Sequence, residues 1–355
     1  MADVYRKDDR FYCAKQTAYD TIRNTAGVAN LSAIDACKHK SFTAAANRAR
    51  IAAGEKEAGA FLGYMDRTLP GRNSGTASVV LPLFSASGAG VAPDFGPILE
   101  SAFGKETVVA GTSVTYGPSG AAKYLDEAAP VTCELWGFNA AGVRATCAYG
   151  ALVNRLRISG GQDYAELAAD FICRYVLSQD RFVNAATLEK GGLTAWPDEP
   201  ATQTYTGAEM RGFTGAFTFD GVVYTTLRSF AITMNWNRAY RVDKFDDDGS
   251  EFFLHSPYEL MPEFLLDFSL WSSDLAALTT AIQKINNRTP VDAAVVLGSV
   301  PGGIYTIPLK NLIIPEGNDD PVHEDGDDRK AISYTGLRAK ATAVTARDEI
   351  SLIAT

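Results

Sequence analysis

The sequence predicts a mainly β protein, an antiparallel β-barrel or sandwich with flanking α-helices. Long stretches alternate between apolar and polar residues with a period of two, as strands with one buried face do. Pairs such as Asp-Gly and Gly-Gly, which favour tight turns, separate several of these stretches. Only two stretches carry a clear helical period. Paired strands are therefore expected to dominate the fold.

The clearest strand is "YAELAADFICRYVL", residues 164–177. Its polar face carries Glu166, Asp170 and Arg174, so one side is expected to meet a core and the other to meet water. The preceding stretch, "ALVNRLRISGG", ends in Gly160-Gly161, which predicts a hairpin. The apolar face consists of Ala165, Leu167, Ala169, Phe171, Cys173, Tyr175 and Leu177.

Three further hairpins follow from the same reasoning. "FTGAFTFDGVVYTTLRSFAITMNW" turns at Asp220-Gly221, with alternating aromatic and aliphatic residues on both sides. "DKFDDDGSEFF" contains an Asp-Gly turn rather than a calcium loop, because Lys244 and His255 stand where two obligatory oxygen ligands belong. The C-terminal stretch "ISYTGLRAKATAVTARDEISLIAT" is expected to form a last hairpin that turns at residues 347–348.

Two helices are predicted. "PDFGPILESAFG" has Pro97 in its first turn and Gly104 as a C-terminal stop. "SSDLAALTTAIQKINN" places Leu275, Leu278, Ile282 and Ile285 on one face behind a Ser N-cap. Near the N-terminus, "FTAAANRARIAAG" fits either a helix or an extended arm.

The chain divides into four predicted parts. Residues 1–58 form an N-terminal arm or extension, 59–187 a first β-barrel half, 188–207 a linker or long loop, and 208–355 a second β-barrel half. Each half contains a strand, one helix (residues 95–103 and 275–285) and then further strands, which suggests two related barrels. One irregular β-rich domain explains the same order of elements.

Composition limits the function. The 355 residues are 46% hydrophobic and 21% charged, as in a folded globular protein of one or two domains. A net charge of -9 disfavours binding of nucleic acid through neutralised phosphates. The N-terminus has no apolar signal region, and no stretch reaches the roughly 18 apolar residues of a membrane span. The five cysteines are widely spaced and predict reduced, buried thiols (Cys13, Cys37, Cys133, Cys147 and Cys173).

The sequence shows no catalytic or cofactor-binding pattern. The three histidines, His39, His255 and His323, lack the spacing of a metal site. "FGKET" has Glu106 where a phosphate-binding loop needs Ser or Thr. No serine has the G-x-S-x-G spacing of a nucleophile elbow. We therefore predict no enzyme, no metal and no cofactor, and a hydrolase on a β scaffold lacks a partnered nucleophile.

The order of four segments resembles a phage tail tube (major tail) protein of long flexible-tailed bacteriophages. These segments are "SGAGVAPDFGPILESAFG", "GALVNRLRISGGQDYAELAADFICRYVL", "FTFDGVVYTTLRSFAITMNWN" and "AISYTGLRAKATAVTARDEISLI". The resemblance implies a β-barrel whose strands join neighbouring subunits into rings that stack into a hollow tube. It further implies assembly in the host cytoplasm, a place in the virion, tape-measure and tail-terminator partners, and double-stranded DNA that passes without specific binding. An acidic bore would let that DNA slide.

Three questions remain open at the level of sequence. A ring holds either three two-barrel chains or six chains. The run "PEGNDDPVHEDGDDRK", residues 315–330, is expected to be a loop that is either solvated or in contact with the next ring, with Asp319, Asp320, Asp327 and Asp328 as candidate contact residues. The alternative function is a carbohydrate-binding or adhesive β-sandwich module of a virion surface, which would need exposed, grouped aromatic residues.

Overall fold

The chain folds into two antiparallel sheets, a separate hairpin and two helices, which confirms the mainly β prediction. The structure, a computed structural model, describes residues 9–16, 22, 30–53, 67–119, 123–139, 145–161, 164–179, 196–210, 215–245, 252–271, 275–314, 322–325, 330–343 and 346–355. The helices are α1 (Gly96–Phe103) and α2 (Leu275–Asn286). The strands are β1 (Arg10–Lys15), β2 (Ala36–Cys37), β3 (Ser41–Ala53), β4 (Arg67–Pro82), β5 (Lys105–Val109), β6 (Ser113–Gly117), β7 (Cys133–Phe138), β8 (Ala145–Gly160), β9 (Glu166–Ser178), β10 (Ala216–Phe219), β11 (Val222–Tyr224), β12 (Leu227–Asn235), β13 (Arg238–Phe245), β14 (Phe252–Glu259), β15 (Glu263–Trp271), β16 (Ala293–Leu297), β17 (Tyr305–Leu309), β18 (Val322–Asp325), β19 (Lys330–Arg338) and β20 (Leu352–Ala354).

The larger sheet has eleven strands and is built around β8. Its main path runs β18-β19-β15-β12-β8-β7-β1-β2, and β8 also pairs with β9, which leads to β4 and β3. The smaller sheet has seven strands in the order β11-β10-β16-β17-β20-β6-β5. The hairpin β13-β14 pairs with neither sheet, but it packs against the larger one, where Tyr240 donates a hydrogen bond to the Gly150 carbonyl of β8.

The two sheets pack face to face over an aromatic core. Phe217 and Phe219 of the seven-stranded sheet lie 4.8 and 5.4 Å, between ring centroids, from Phe268 of the eleven-stranded sheet. Helix α1 is almost wholly buried between the sheets, and its Phe103 meets Trp236 edge-on at 5.6 Å. Burial of large aromatic side chains contributes most to such a core.

The predicted strand patterns are confirmed where the structure describes them. β8 and β9 pair antiparallel over Thr146 to Ser159, and all seven residues of the predicted apolar face are buried. β10 and β11 pair through Asp220 and Gly221, whose φ angles of 51° and 77° fit the left-handed turn expected of Asp-Gly. β13 and β14 also pair antiparallel, although the Asp-Gly turn between them lies outside the described residues.

Both predicted helices form. Pro97 lies in the first turn of α1, and Gly104 closes the helix with a φ of 84° at a point where a Cβ atom would lie 1.9 Å from the Tyr124 carbonyl oxygen. In α2, Leu278 and Ile282 are buried as predicted. The Ser N-cap of α2 lies outside the described residues. Residues 196–207, the described part of the predicted linker or long loop, contain neither helix nor strand.

Three predictions need correction. The alanine-rich stretch near the N-terminus is strand β3, because it pairs with β4 along its length, so the helix alternative is wrong. The acidic run is not a loop throughout, since Val322–Asp325 forms β18 and pairs with β19. The C-terminal residues do not form one hairpin, because β19 belongs to the eleven-stranded sheet whereas β20 joins β17 and β6 in the other sheet.

The sheets do not divide at the predicted domain boundaries. Each sheet contains strands from both sides of residues 188–207. Strand β1 from the N-terminal extension pairs with β7, and its Phe11 and Tyr12 are fully buried. The division into two barrel halves stays a prediction, and each of the two large sheets combines strands from both predicted halves.

Candidate assembly surface

The described residues contain no group of three or more His, Cys, Asp or Glu that could hold a metal ion. All five cysteines are free and buried, as predicted, and burial raises the pKa of Cys37 and Cys173 above the ordinary range of a thiol. The thiols of Cys37 and Cys173 are therefore protonated and unreactive at neutral pH. The search for a functional surface accordingly turns to the edges of the sheets.

One open edge of the seven-stranded sheet is β5. It pairs with β6 on one side, and no described strand pairs with its other side. Val108 and Val109 are 51% and 50% exposed, although they are consecutive and point to opposite faces of the sheet. A strand with unpaired backbone groups and exposed β-branched side chains is a template for another strand.

The opposite edge of the same sheet, β11, has the same character. It pairs with β10 alone among the described strands. Val222 and Val223 are 40% and 57% exposed, while Tyr224 turns into the core. Both edges of one sheet therefore present a short strand with two exposed valines to solvent.

The directions of these two edges are fixed by the topology. Every neighbouring pair in the seven-stranded sheet is antiparallel. With an odd number of strands, β5 and β11 run in the same direction. Copies related by rotation about a ring axis would therefore pair β5 of one copy with β11 of the next in parallel, and a two-fold dimer would instead pair β5 with β5.

The eleven-stranded sheet ends in a long ribbon. β9 pairs with β4 only from Gly75 to Pro82, whereas the β3-β4 ladder continues outward to the pair Ala53 and Arg67. No third described strand pairs with the outer part of this ribbon, although β14 also contacts β4. A two-stranded ribbon alone is marginally stable in water, so this projection is a second candidate contact with a neighbouring molecule.

The sequence-predicted contact residues Asp319, Asp320, Asp327 and Asp328 all lie outside the described residues. The sequence pattern also missed the two edge strands. In the sequence, the segment that contains β5 resembles only an incomplete phosphate-binding loop, and the pattern predicts β11 as part of a hairpin but not as an edge. Edge position depends on which distant strands pair, and short local patterns carry no signal for it.

Comparison with known proteins does not assign this chain to a family. No protein-family model matches the chain, and no curated protein sequence matches it. Among the described residues, neither helix has the length and apolar character required to cross a membrane.

Proposed function

We propose that this chain is a structural subunit of a phage tail tube, which assembles as stacked rings around a bore through which double-stranded DNA passes. The observation that carries the proposal is the pair of open, valine-bearing edges on the seven-stranded sheet. Because the two edges differ from one another, pairing between copies is head-to-tail and can close into a ring. Ring closure removes both edges at once.

The overall charge supports this function. A chain with a net charge of -9 repels the phosphates of a passing duplex, so DNA slides rather than sticks. In this proposal the protein assembles in the host cytoplasm, becomes part of the virion, and contacts other tail proteins such as the tape measure and the tail terminator.

The placement of the tryptophans argues against the carbohydrate-binding alternative. Trp136 and Trp236 are fully buried. Trp196 packs edge-on against Trp136 at 5.6 Å, and the Arg228 guanidinium lies 5.1 Å from the ring of Trp271. The four indoles therefore do not form the exposed aromatic platform on which a sugar ring would stack.

The proposal is tested by assembly of the purified protein at high concentration. We expect rings and tubes in negative-stain electron microscopy. Val108→Lys and Val223→Lys should each reduce ring formation strongly, because each replaces an exposed apolar side chain at the proposed junction with a charged one. The folded monomer should remain intact in both variants, since each valine is already exposed.

Val300→Lys is the matched control, because Val300 is 67% exposed but lies in the turn between β16 and β17 rather than on an edge. It should assemble like the unmodified chain. A chain that stays monomeric at every concentration and salt condition would contradict the proposed function. Rings that form equally well in both edge variants would leave the tube function standing and reject these edges as its interface.

A further inference from the structure

The outer face of the seven-stranded sheet is almost free of charge. The opposite face of this sheet packs on the core, where Val114, Val295 and Ile307 are fully buried. Side chains alternate along a strand, so the residues between the buried ones point outward, and each of them is at least partly exposed. These outward residues are Ser, Thr, Ala, Val, Ile, Pro and Gly, together with one charged residue, Lys105 at the start of β5.

One row of this neutral outer face crosses almost the whole sheet. Its members are in register from β10 to β5: Ala216, Val296, Thr306, Ile353, Thr115 and Thr107. A row that crosses the strands of a closed barrel follows its circumference. In the proposed ring, this row would therefore continue from one copy to the next with hydroxyl and methyl groups only.

Exposure to water does not explain the missing charge. The outer face of the eleven-stranded sheet is exposed as well, and it carries Arg155 and Arg157 on β8 and Glu166 and Asp170 on β9. Overall, 21% of the residues in the chain are charged. The two outer faces are therefore expected to meet different surroundings.

The neutral outer face also lacks the side chains that anchor a protein partner. The cores of protein interfaces are enriched in aromatic residues, Met and Arg. None of these residue types points outward from the seven described strands of this sheet, and the largest apolar side chain there is that of Ile353. A surface with neither charge nor anchors is suited to a partner that moves past it.

The two layers of the chain determine which face can meet a bore. In a ring closed through β5 and β11, the seven-stranded sheets form one barrel, and the eleven-stranded sheets pack against it about 10 Å away. The circumference of a layer rises with its radius, so the larger sheets belong to the outer layer. Placed inside, they would occupy the channel. Only the neutral outer face is then left to line it.

We propose that the neutral outer face of the seven-stranded sheet lines the bore and that the DNA duplex slides along it. This inference rests on the proposed function and names the surface that the DNA meets. Proteins hold DNA through Lys and Arg on phosphates and through aromatic rings on bases, and this row offers neither. Cations lie elsewhere, since Arg288, Arg338 and Lys340 line a groove of about 970 Å³ beside the end of α2.

Cysteine reporters test which face lines the bore. The substitution Thr306→Cys lies on the neutral outer face, and Ser229→Cys, on the exposed outer face of β12, is the matched control. The five native cysteines are buried and should give little background. In the monomer, both variants should react with a small maleimide and with a maleimide-bearing gold particle wider than the bore. In tubes, Thr306→Cys should still react with the small maleimide but no longer with gold, whereas Ser229→Cys should react with both.

Three results of this labelling would overturn the inference while leaving the tube function intact. Gold on tubes of Thr306→Cys would place the neutral outer face on the outside. Protection of Ser229→Cys alone would show that the eleven-stranded sheet lines the bore. Loss of the reaction between Thr306→Cys and the small maleimide in tubes would show that a protein contact covers the face. Failure of the unmodified chain to form tubes would instead contradict the proposed function.

Lysines on the same face test the sliding itself. Tubes of the variant Thr115→Lys with Thr306→Lys should retain a short DNA duplex at low salt, protect it from nuclease, and release it as salt rises. Unmodified tubes should retain none. Ser159→Lys with Ser229→Lys adds the same charge to the outer face of the eleven-stranded sheet, where nuclease should digest any duplex that is retained. Nuclease-resistant duplex in unmodified tubes would overturn the inference, as would digestion of the duplex held by the Thr115→Lys, Thr306→Lys variant.

Discussion

At the scale of single residues, Arg238 anchors the C-terminal end of α1. Its side chain is fully buried, and its guanidinium donates hydrogen bonds to the carbonyl oxygens of Ser101, Ala102 and Val153 at 2.7 to 2.9 Å. It also pairs with the Glu259 carboxylate at 3.2 Å. Burial lowers the pKa of Arg238 to about 10 and raises that of Glu259. The guanidinium thus stays charged at neutral pH and satisfies carbonyls that the helix end leaves unpaired.

Removal of this side chain should be among the costliest single changes in the protein. Arg238→Ala leaves several buried carbonyls without their donor and leaves Glu259 with the more distant Arg347, 3.7 Å away, so we expect the free energy of unfolding to fall by about 3–5 kcal/mol. Urea denaturation followed by tryptophan fluorescence measures this change. Arg241→Ala is the control, since Arg241 is exposed and its 3.3 Å ion pair with Glu127 should contribute about 1 kcal/mol or less. Equal losses in the two variants would contradict the anchoring role.

At the scale of secondary-structure elements, shortening the β3-β4 ribbon tests whether it takes part in assembly. Replacing residues 49–72 with Asn-Gly joins Arg48 to Asn73, which are paired in the ladder, through a turn that suits a hairpin. The part removed lies beyond the residues of β4 that pair with β9. Monomer stability should therefore change by no more than about 1 kcal/mol, while assembly should weaken because the ribbon loses its contact with a neighbouring subunit.

Denaturation curves and electron micrographs of this shortened chain separate the two effects. Unfolding of the monomer would show that the ribbon belongs to the fold. Full-length tubes from a stable shortened chain would show that the ribbon has no part in assembly.

The sequence predicted local elements well and long-range pairing poorly. The alternation in β9 and the left-handed turn at Asp220 and Gly221 are local signals, and both were confirmed. The prediction of a C-terminal hairpin was wrong because Leu352–Ala354 pairs with β17 and β6, which are distant in the sequence. Proximity in the chain favours a hairpin but does not decide which sheet a strand joins.

The candidate contact surfaces likewise depend on long-range pairing that the sequence does not predict. The acidic run at residues 315–330 is visible in the sequence as a cluster of charges. Pairing with β19 nevertheless places its middle in a strand. The groove beside the end of α2 combines residues from five separate segments, around Pro262, Arg288, Ile313, Lys340 and Glu349. No single stretch of sequence carries such a pattern, so only the folded chain brings it together.

At the scale of the whole molecule, the two helices suggest an internal repeat. Helix α1 is followed directly by the hairpin β5-β6, and α2 by the hairpin β16-β17. Both hairpins enter the same seven-stranded sheet. One chain would then supply two related units to a ring, so that three chains give an arrangement with six units.

The width that a bore needs for one DNA duplex also favours three chains per ring. If β5 of one copy pairs with β11 of the next, each chain adds seven strands to one continuous barrel. At about 4.8 Å between strands and a tilt near 40°, three chains give a backbone diameter of about 40 Å and six chains about 80 Å. Side chains narrow either bore by about 10 Å. Three chains leave room for one duplex, whereas six leave a channel several duplex widths across.

We therefore expect the isolated ring to contain three chains. Mass photometry should give a mass near three times the 38.1 kDa of the chain. Val223→Lys, which blocks the β11 edge, should shift that mass to the single chain without unfolding it, because the parallel junction between β5 and β11 closes the ring. A ring of six chains would reject both the repeated-unit arrangement and a bore formed by the complete seven-stranded sheet, since that sheet would then enclose a channel far wider than the DNA it is proposed to conduct.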